Sequence, residues 1–165
     1  MESVNLSKLG TNQSILDCIE QIRNKQNKTF QWDNLNIIIL EDDSGVINIM
    51  TKMLKNIGIH PIITREGRET LEQIYTSYDQ SIPITLGFFD LIIAGGMGGY
   101  ETLQHLQDFL PNLPIIAMSG YTSDPIMKDP TEYGFFNKME KPFSISELYQ
   151  IITLTVSLLP KNLYV

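Results

Sequence analysis

From Leu35 onward the chain alternates between short apolar runs and longer amphipathic stretches. The runs are Leu35 to Leu40, Pro61 to Thr64, Ile84 to Phe89, Ile115 to Met118 and Phe135 to Met139. Most are apolar throughout instead of alternating, as expected of strands covered on both faces in a parallel sheet. The clearest stretch between them sets Val46, Ile49, Met50, Met53, Leu54 and Ile57 on one stripe at helical spacing, and Gly58 supplies a stop. Further helices are predicted at about 66 to 78, 99 to 110, 122 to 132 and 144 to 158. The last of these opens with Ser144, Ile145, Ser146 and Glu147, a segment that suits a capping box. Five strands alternating with five helices predict a doubly wound α/β fold around a five-stranded parallel sheet.

Residues 1 to about 33 follow a different pattern, polar and rich in Asn, Gln and Lys. Only Ile15, Leu16, Ile19 and Ile22 break it, and their spacing predicts one extra N-terminal helix. A helix this short needs a surface to pack on, either this domain or a second copy, so a homodimer through this segment is one expectation.

Composition narrows the function. With 165 residues, 42% of them hydrophobic, the chain suits one domain plus an appendage. Nineteen acidic against 12 basic residues give a net charge of -7, which repels phosphate backbones and anionic membranes and argues against nucleic acid as a direct partner. Cys18 is the only cysteine, which excludes an internal disulfide and fits a reducing, cytoplasmic setting. No apolar run approaches the length of a membrane span, and the first residues lack a signal-peptide pattern, so no membrane insertion is expected.

Open α/β sheets bind ligands beyond the carboxyl ends of their strands, where the strand order reverses. The first run is followed by Glu41, Asp42 and Asp43, the third by Asp90, the fourth by Ser119, and the fifth by Lys141 and Pro142. The second offers only Arg65 and Glu66. If the order is 2-1-3-4-5, the first and third strands flank the reversal and their carboxylates converge. Crowded carboxylates repel unless a divalent cation or protons neutralise them. A few hard oxygen ligands with room for water and phosphate suit Mg²⁺, with Mn²⁺ also possible. The single cysteine and the separated His60 and His105 disfavour zinc.

The segments Ile37 to Asp43, Asp90 to Gly99, Met118 to Tyr121 and Lys141 to Phe143 resemble, in order and spacing, the signature segments of response-regulator receiver domains of two-component signalling. The Gly95-Gly96-Met97-Gly98-Gly99 loop is most similar to receivers of hybrid histidine kinases. The resemblance implies a flavodoxin-like fold and divides the chain into an extension (1–33), a receiver domain (34–160) and a tail (161–165). It implies that Asp90 is the phosphoacceptor, that Asp42 binds Mg²⁺ directly and Glu41 largely through water, and that the backbone carbonyl of Ile92 adds a ligand. Lys141 would pair with the incoming phosphoryl oxygens and Ser119 would hydrogen-bond one of them. The implied partner is a histidine kinase or a histidine phosphotransfer protein, and the chain would catalyse at most its own phosphorylation and dephosphorylation. Three positions depart from the usual pattern: Glu41 in place of Asp, Ala94 where Pro is common, and Lys138 where many receivers carry a switching aromatic.

Plainer readings exist for each residue alone. Asp42 and Asp43 suit a helix N-cap and first turn, Asp90 a strand-end turn, and Lys141 a solvated surface. The glycines at 95, 96, 98 and 99 lack a following Gly-Lys-Ser/Thr and suit a tight turn better than a nucleotide loop. His105 lies in a helical stretch and reads as a surface or half-buried histidine. Two other functions remain open. A haloacid-dehalogenase-like phosphatase would need an acid two residues after the nucleophile, where Ile92 stands. A non-phosphorylated interaction module on the same fold is made plausible by Lys138 and by the short extra helix. About seven residues follow the last predicted helix, which leaves a stand-alone regulator, a relay intermediate or an end piece of a hybrid kinase as expectations.

Overall fold

A computed structural model describes residues 35–158. The N-terminal stripe of Ile15, Leu16, Ile19 and Ile22, Cys18 and the 161–165 tail lie outside the described residues. The elements run β1 (Ile37–Leu40), α1 (Ser44–Lys55), β2 (Ile62–Thr64), α2 (Gly67–Asp79), β3 (Leu86–Asp90), α3 (Gly99–Gln107), β4 (Ile115–Ser119), α4 (Pro125–Lys128), a 3₁₀ turn (Pro130–Tyr133), β5 (Asn137–Glu140) and α5 (Ile145–Leu158). The strands form one parallel sheet in the expected order β2-β1-β3-β4-β5. Every residue of β1, β3 and β4 is buried, the physical basis of their unbroken apolar runs.

One core layer gathers Ile38, Leu40, Phe89, Ile115 and Ala117 against Ile74, Leu103, Leu106, Met127 and Phe135. On α1 and α5, Met50, Leu54, Leu148 and Ile152 are buried, and the Tyr149 hydroxyl donates to the Met53 carbonyl at 2.7 Å. Burial pushes the Tyr149 phenol up to about 12. The capping box of α5 forms as expected: the Ser144 N–H donates to Glu147 at 2.7 Å, and the Glu147 N–H donates to the Ser144 hydroxyl at 3.2 Å. These bonds to Ser144 hold the Glu147 carboxyl below its usual range.

Three expectations need correction. The stripe on α1 is narrower than its spacing suggested, because Ile49 is half exposed and Val46 and Met53 are only partly covered. The helix predicted over 122–132 is instead one turn of α-helix and a separate 3₁₀ turn. Pro130 disfavours helical backbone at the residue before it, and Asp129 sits at φ −136°, ψ 84°, which breaks the element in two. The fifth strand starts two residues later than the apolar run, with Phe135 serving as a buried plug ahead of it.

Candidate functional site

β1 and β3 are hydrogen-bonded neighbours in register, Leu40 opposite Phe89, so the residues that follow Leu40 and the residue that ends β3 meet at the same edge of the sheet. Asp43 leaves this cluster and caps α1, its Oδ1 accepting from the N–H groups of Gly45 at 2.7 Å and Val46 at 2.9 Å. Those two bonds hold the Asp43 carboxyl below its usual range. The capping reading therefore holds for Asp43 and not for Asp42. Glu41, Asp42 and Asp90 are the one group of acids among the described residues whose ligand oxygens lie within 4.8 Å of one another.

Lys141 completes the cluster from the end of β5. Its Nζ donates to Asp90 Oδ2 at 2.7 Å and to Glu41 Oε2 at 3.0 Å. Burial alone would lower the Lys141 pKa, but the bonds to Asp90 and Glu41 outweigh it and raise it, so the ammonium is held charged. Glu41 is fully buried, and burial together with the neighbouring Asp90 raises its carboxyl, against the opposing pull of Lys141. With all three acids ionised, the site carries two negative charges in excess of its ammonium. A set of hard carboxylate oxygens with no sulfur or imidazole among them fits a Mg²⁺-type ion, which would relieve that excess.

The other anticipated residues are placed around this group. Ser119 ends β4, one strand over from Asp90, whose register partner is Met118; its hydroxyl accepts the Tyr121 N–H at 3.0 Å. Ile92 follows in the turn after β3, its N–H directed at Asp90 Oδ1 at 3.4 Å and its side chain exposed. Met97 belongs to the loop whose glycines are demanded by space. Gly95 adopts a left-handed φ of +70°, whereas a Cβ on Gly99 would lie 2.7 Å from the Asp90 carbonyl oxygen. The loop is thus a tight turn that lets α3 begin directly against the backbone of Asp90. Lys138, at the position usual for a switching aromatic, donates to the Met127 carbonyl in α4 and pairs with Glu140 at 3.4 Å.

Asp42 is positioned by two groups that the sequence did not assign to the site. The Ala94 N–H donates to Asp42 Oδ2 at 3.1 Å and so orients that carboxylate. Arg65, from the end of β2, donates to the Asp42 backbone carbonyl at 3.0 Å and reaches the Ser44 hydroxyl at 3.3 Å, tying down the loop that carries the acids. Its place at a strand's carboxyl end was the only signal available.

Comparison with known proteins agrees with this architecture. ZraR of Escherichia coli strain K12, a transcriptional regulatory protein, is 24% identical over 120 residues, 70% of this chain and 25% of ZraR. The chain thus matches about a quarter of the length of such relatives, and the exclusion of nucleic acid drawn from net charge reaches no further than this stretch. The receiver domain of NtrX from Brucella abortus shares the fold with a TM-score of 0.66 at 19% identity, over 75% of this chain and 100% of that one. The receiver domain of the sensor histidine kinase PA1611 from Pseudomonas aeruginosa has a TM-score of 0.62 at 18% identity, over 74% and 98%; its structure has a magnesium ion coordinated in the active-site cleft. No helix among the described residues is long and apolar enough to cross a membrane. The family model for the response regulator receiver domain matches residues 37–153, the stretch that carries all five strands and the acidic cleft, and the chain belongs to that family.

Proposed function

We propose that this receiver takes a phosphoryl group from a phosphohistidine onto Asp90, in a two-component or phosphorelay pathway. The observation that carries the proposal is the contact of Lys141 Nζ with both Asp90 and Glu41, within a group of three acids that Asp42 completes. Asp42, Asp90 and the Ile92 carbonyl would hold Mg²⁺, the ion that the PA1611 receiver coordinates in its own cleft. Glu41 would act through water. That role is supported by its oxygens, which already accept from Lys141 and from the Asp43 N–H at 3.1 Å. When bound, the cation supplies charge neutralisation for the phosphoryl oxygens.

In the transfer, an Asp90 carboxylate oxygen forms the new P–O bond as the donor's P–N bond breaks, and the electron pair leaves on the imidazole nitrogen. Lys141 follows the charge from the Asp90 carboxylate to the phosphoryl oxygens, and Ser119 donates its hydroxyl proton to one of them. Loss of the phosphate needs a water aligned opposite the Asp90 oxygen. Ile92 offers nothing polar to align it, and Tyr121 is bulky and exposed beside the cleft, so slow self-dephosphorylation is expected.

The test is incubation with acetyl phosphate and Mg²⁺, or Mn²⁺ in parallel, followed by mass measurement of the intact protein. Wild type is expected to gain one phosphoryl group and Asp90→Asn none. Persistent labelling of the variant would refute the assignment. An unlabelled wild type would favour the non-phosphorylated interaction module.

A further inference from the structure

The end of the sheet opposite the acids carries a surface for which phosphoryl transfer has no use. Tyr75 and Tyr78 lie in the last turns of α2, Ile82 in the link to β3, and Phe109 just past α3, all at the amino ends of the strands. They are 38%, 52%, 57% and 42% exposed, respectively. Phe109 meets both tyrosines edge-on, its ring centroid 4.9 Å from that of Tyr75 and 5.2 Å from that of Tyr78. The rings therefore brace one another, and a preformed surface spares a partner the cost of ordering them. Ile82 is fixed as well: after Ser81 at φ 59°, its N–H donates to the Ser77 carbonyl at 2.9 Å and closes the end of α2. Exposed apolar groups gathered in this way mark contact surfaces more often than scattered ones do.

Charge identifies the kind of partner. From Glu69 to Met127 the sequence contains seven acidic residues and no Lys or Arg. Glu72 and Asp79 flank the tyrosines along α2, and Asp108 adjoins Phe109. None of these three forms an ion pair among the described residues. A second copy of this chain would bring the same negative charges against them, and an anionic lipid surface would be repelled. A guanidinium or ammonium group gains twice, from the carboxylates and from the faces of the rings. We propose that the Tyr75, Tyr78, Ile82 and Phe109 patch docks a basic amphipathic segment of a partner protein, with apolar side chains on the rings and Lys or Arg against Glu72, Asp79 and Asp108.

The probe is a synthetic amphipathic peptide of Leu, Ala and Arg, titrated into the ¹⁵N-labelled full chain, with a matched peptide carrying Glu in place of Arg. Amide shifts should centre on the four patch residues. Affinity should fall at least tenfold in the Tyr78→Ala, Phe109→Ala double variant and several-fold in Asp79→Asn, Asp108→Asn, while phosphorylation by acetyl phosphate stays unchanged in both. Three results would each overturn the proposal: shifts centred on the Asp90 cleft, equal binding of the Glu peptide, or undiminished binding by the double variant. A concentration-dependent dimer in sedimentation that Phe109→Ala abolishes would also overturn it, since the occupant would then be a second copy.

Discussion

At the centre of the sheet, β1 and β3 are buried along their whole length and lead directly to Glu41, Asp42 and Asp90. At the edge, β5 turns Glu140 to solvent and leaves Lys138 half covered, and the helix before it lasts one turn. The centre is determined many times over by packing, so its carboxylates cannot drift apart despite their repulsion. At the edge β5 pairs with β4 alone and buries only Met139 fully, so polar ties supplement the packing: Lys138 to the Met127 carbonyl, Lys138 to Glu140 and, at the start of α5, Ser144 to Glu147. Lys141 joins the two regions, growing from the edge strand and ending on the acids of the central ones. New charge on Asp90 would therefore reach the edge strand directly, through Lys141.

The largest effect should come from forcing the centre open. In Gly99→Ala the new methyl would lie 2.7 Å from the Asp90 carbonyl oxygen and 2.9 Å from the Phe89 Cβ, both in a packed region. Overpacking of this kind costs about 1–3 kcal/mol, and we expect the upper part of that range, read from the urea midpoint, together with slower labelling of Asp90. Gly95→Ala, in open space but at φ +70°, should cost about 1 kcal/mol and leave labelling almost intact. Equal losses would mean that the approach of α3 to Asp90 is not what the loop protects.

Next in size is the split between the two acids that follow β1. Calorimetric titration of Mg²⁺ should show a much greater loss of affinity for Asp42→Ala than for Glu41→Ala, because a ligand that touches the ion contributes more than one acting through water. Equal losses would contradict those roles.

At the edge the effects shrink. Lys138→Ala removes the tie to Met127 and should cost about 1 kcal/mol, since the side chain is partly solvated. Amide exchange should quicken across 125–133 and remain unchanged in β1 and β3. Uniform quickening would mean that the edge is no looser than the centre.

The smallest effect concerns Glu147, which is exposed. Its carboxyl titrates below its unfolded value, so the stability it contributes is present above about pH 4.5 and fades as pH falls through the lower folded value. Glu147→Gln should flatten the acid limb of the stability curve slightly and leave the neutral range almost untouched. An unchanged acid limb would remove the capping box from the list of ties.

The same contrast decides what could be read in the sequence. The central strands announce themselves because burial on both faces requires unbroken apolar runs, and Asp90 and Ser119 were legible as the polar residues that close them. The segment after β4 departs from the helix its pattern predicts because the backbone is governed by Pro125 and Pro130, which start one short element and break it from the next. Ile49 fitted a core stripe by spacing alone, since periodicity gives a direction and not the width of what covers it. Arg65 and the Ala94 N–H were invisible for another reason: both act on Asp42 across 20 or more residues of sequence, through contacts that exist only once β2 and the loop after β3 are in place.

If Asp90 accepts the phosphoryl group, the product is an acyl phosphate, which borohydride reduction traps. The reagent converts an aspartyl phosphate into homoserine, which tandem mass spectrometry locates in a digest of protein treated with acetyl phosphate and Mg²⁺. Homoserine is expected at position 90 alone. Homoserine at Asp42 or any other position, or a retained phosphoryl mass with no homoserine anywhere, would contradict it.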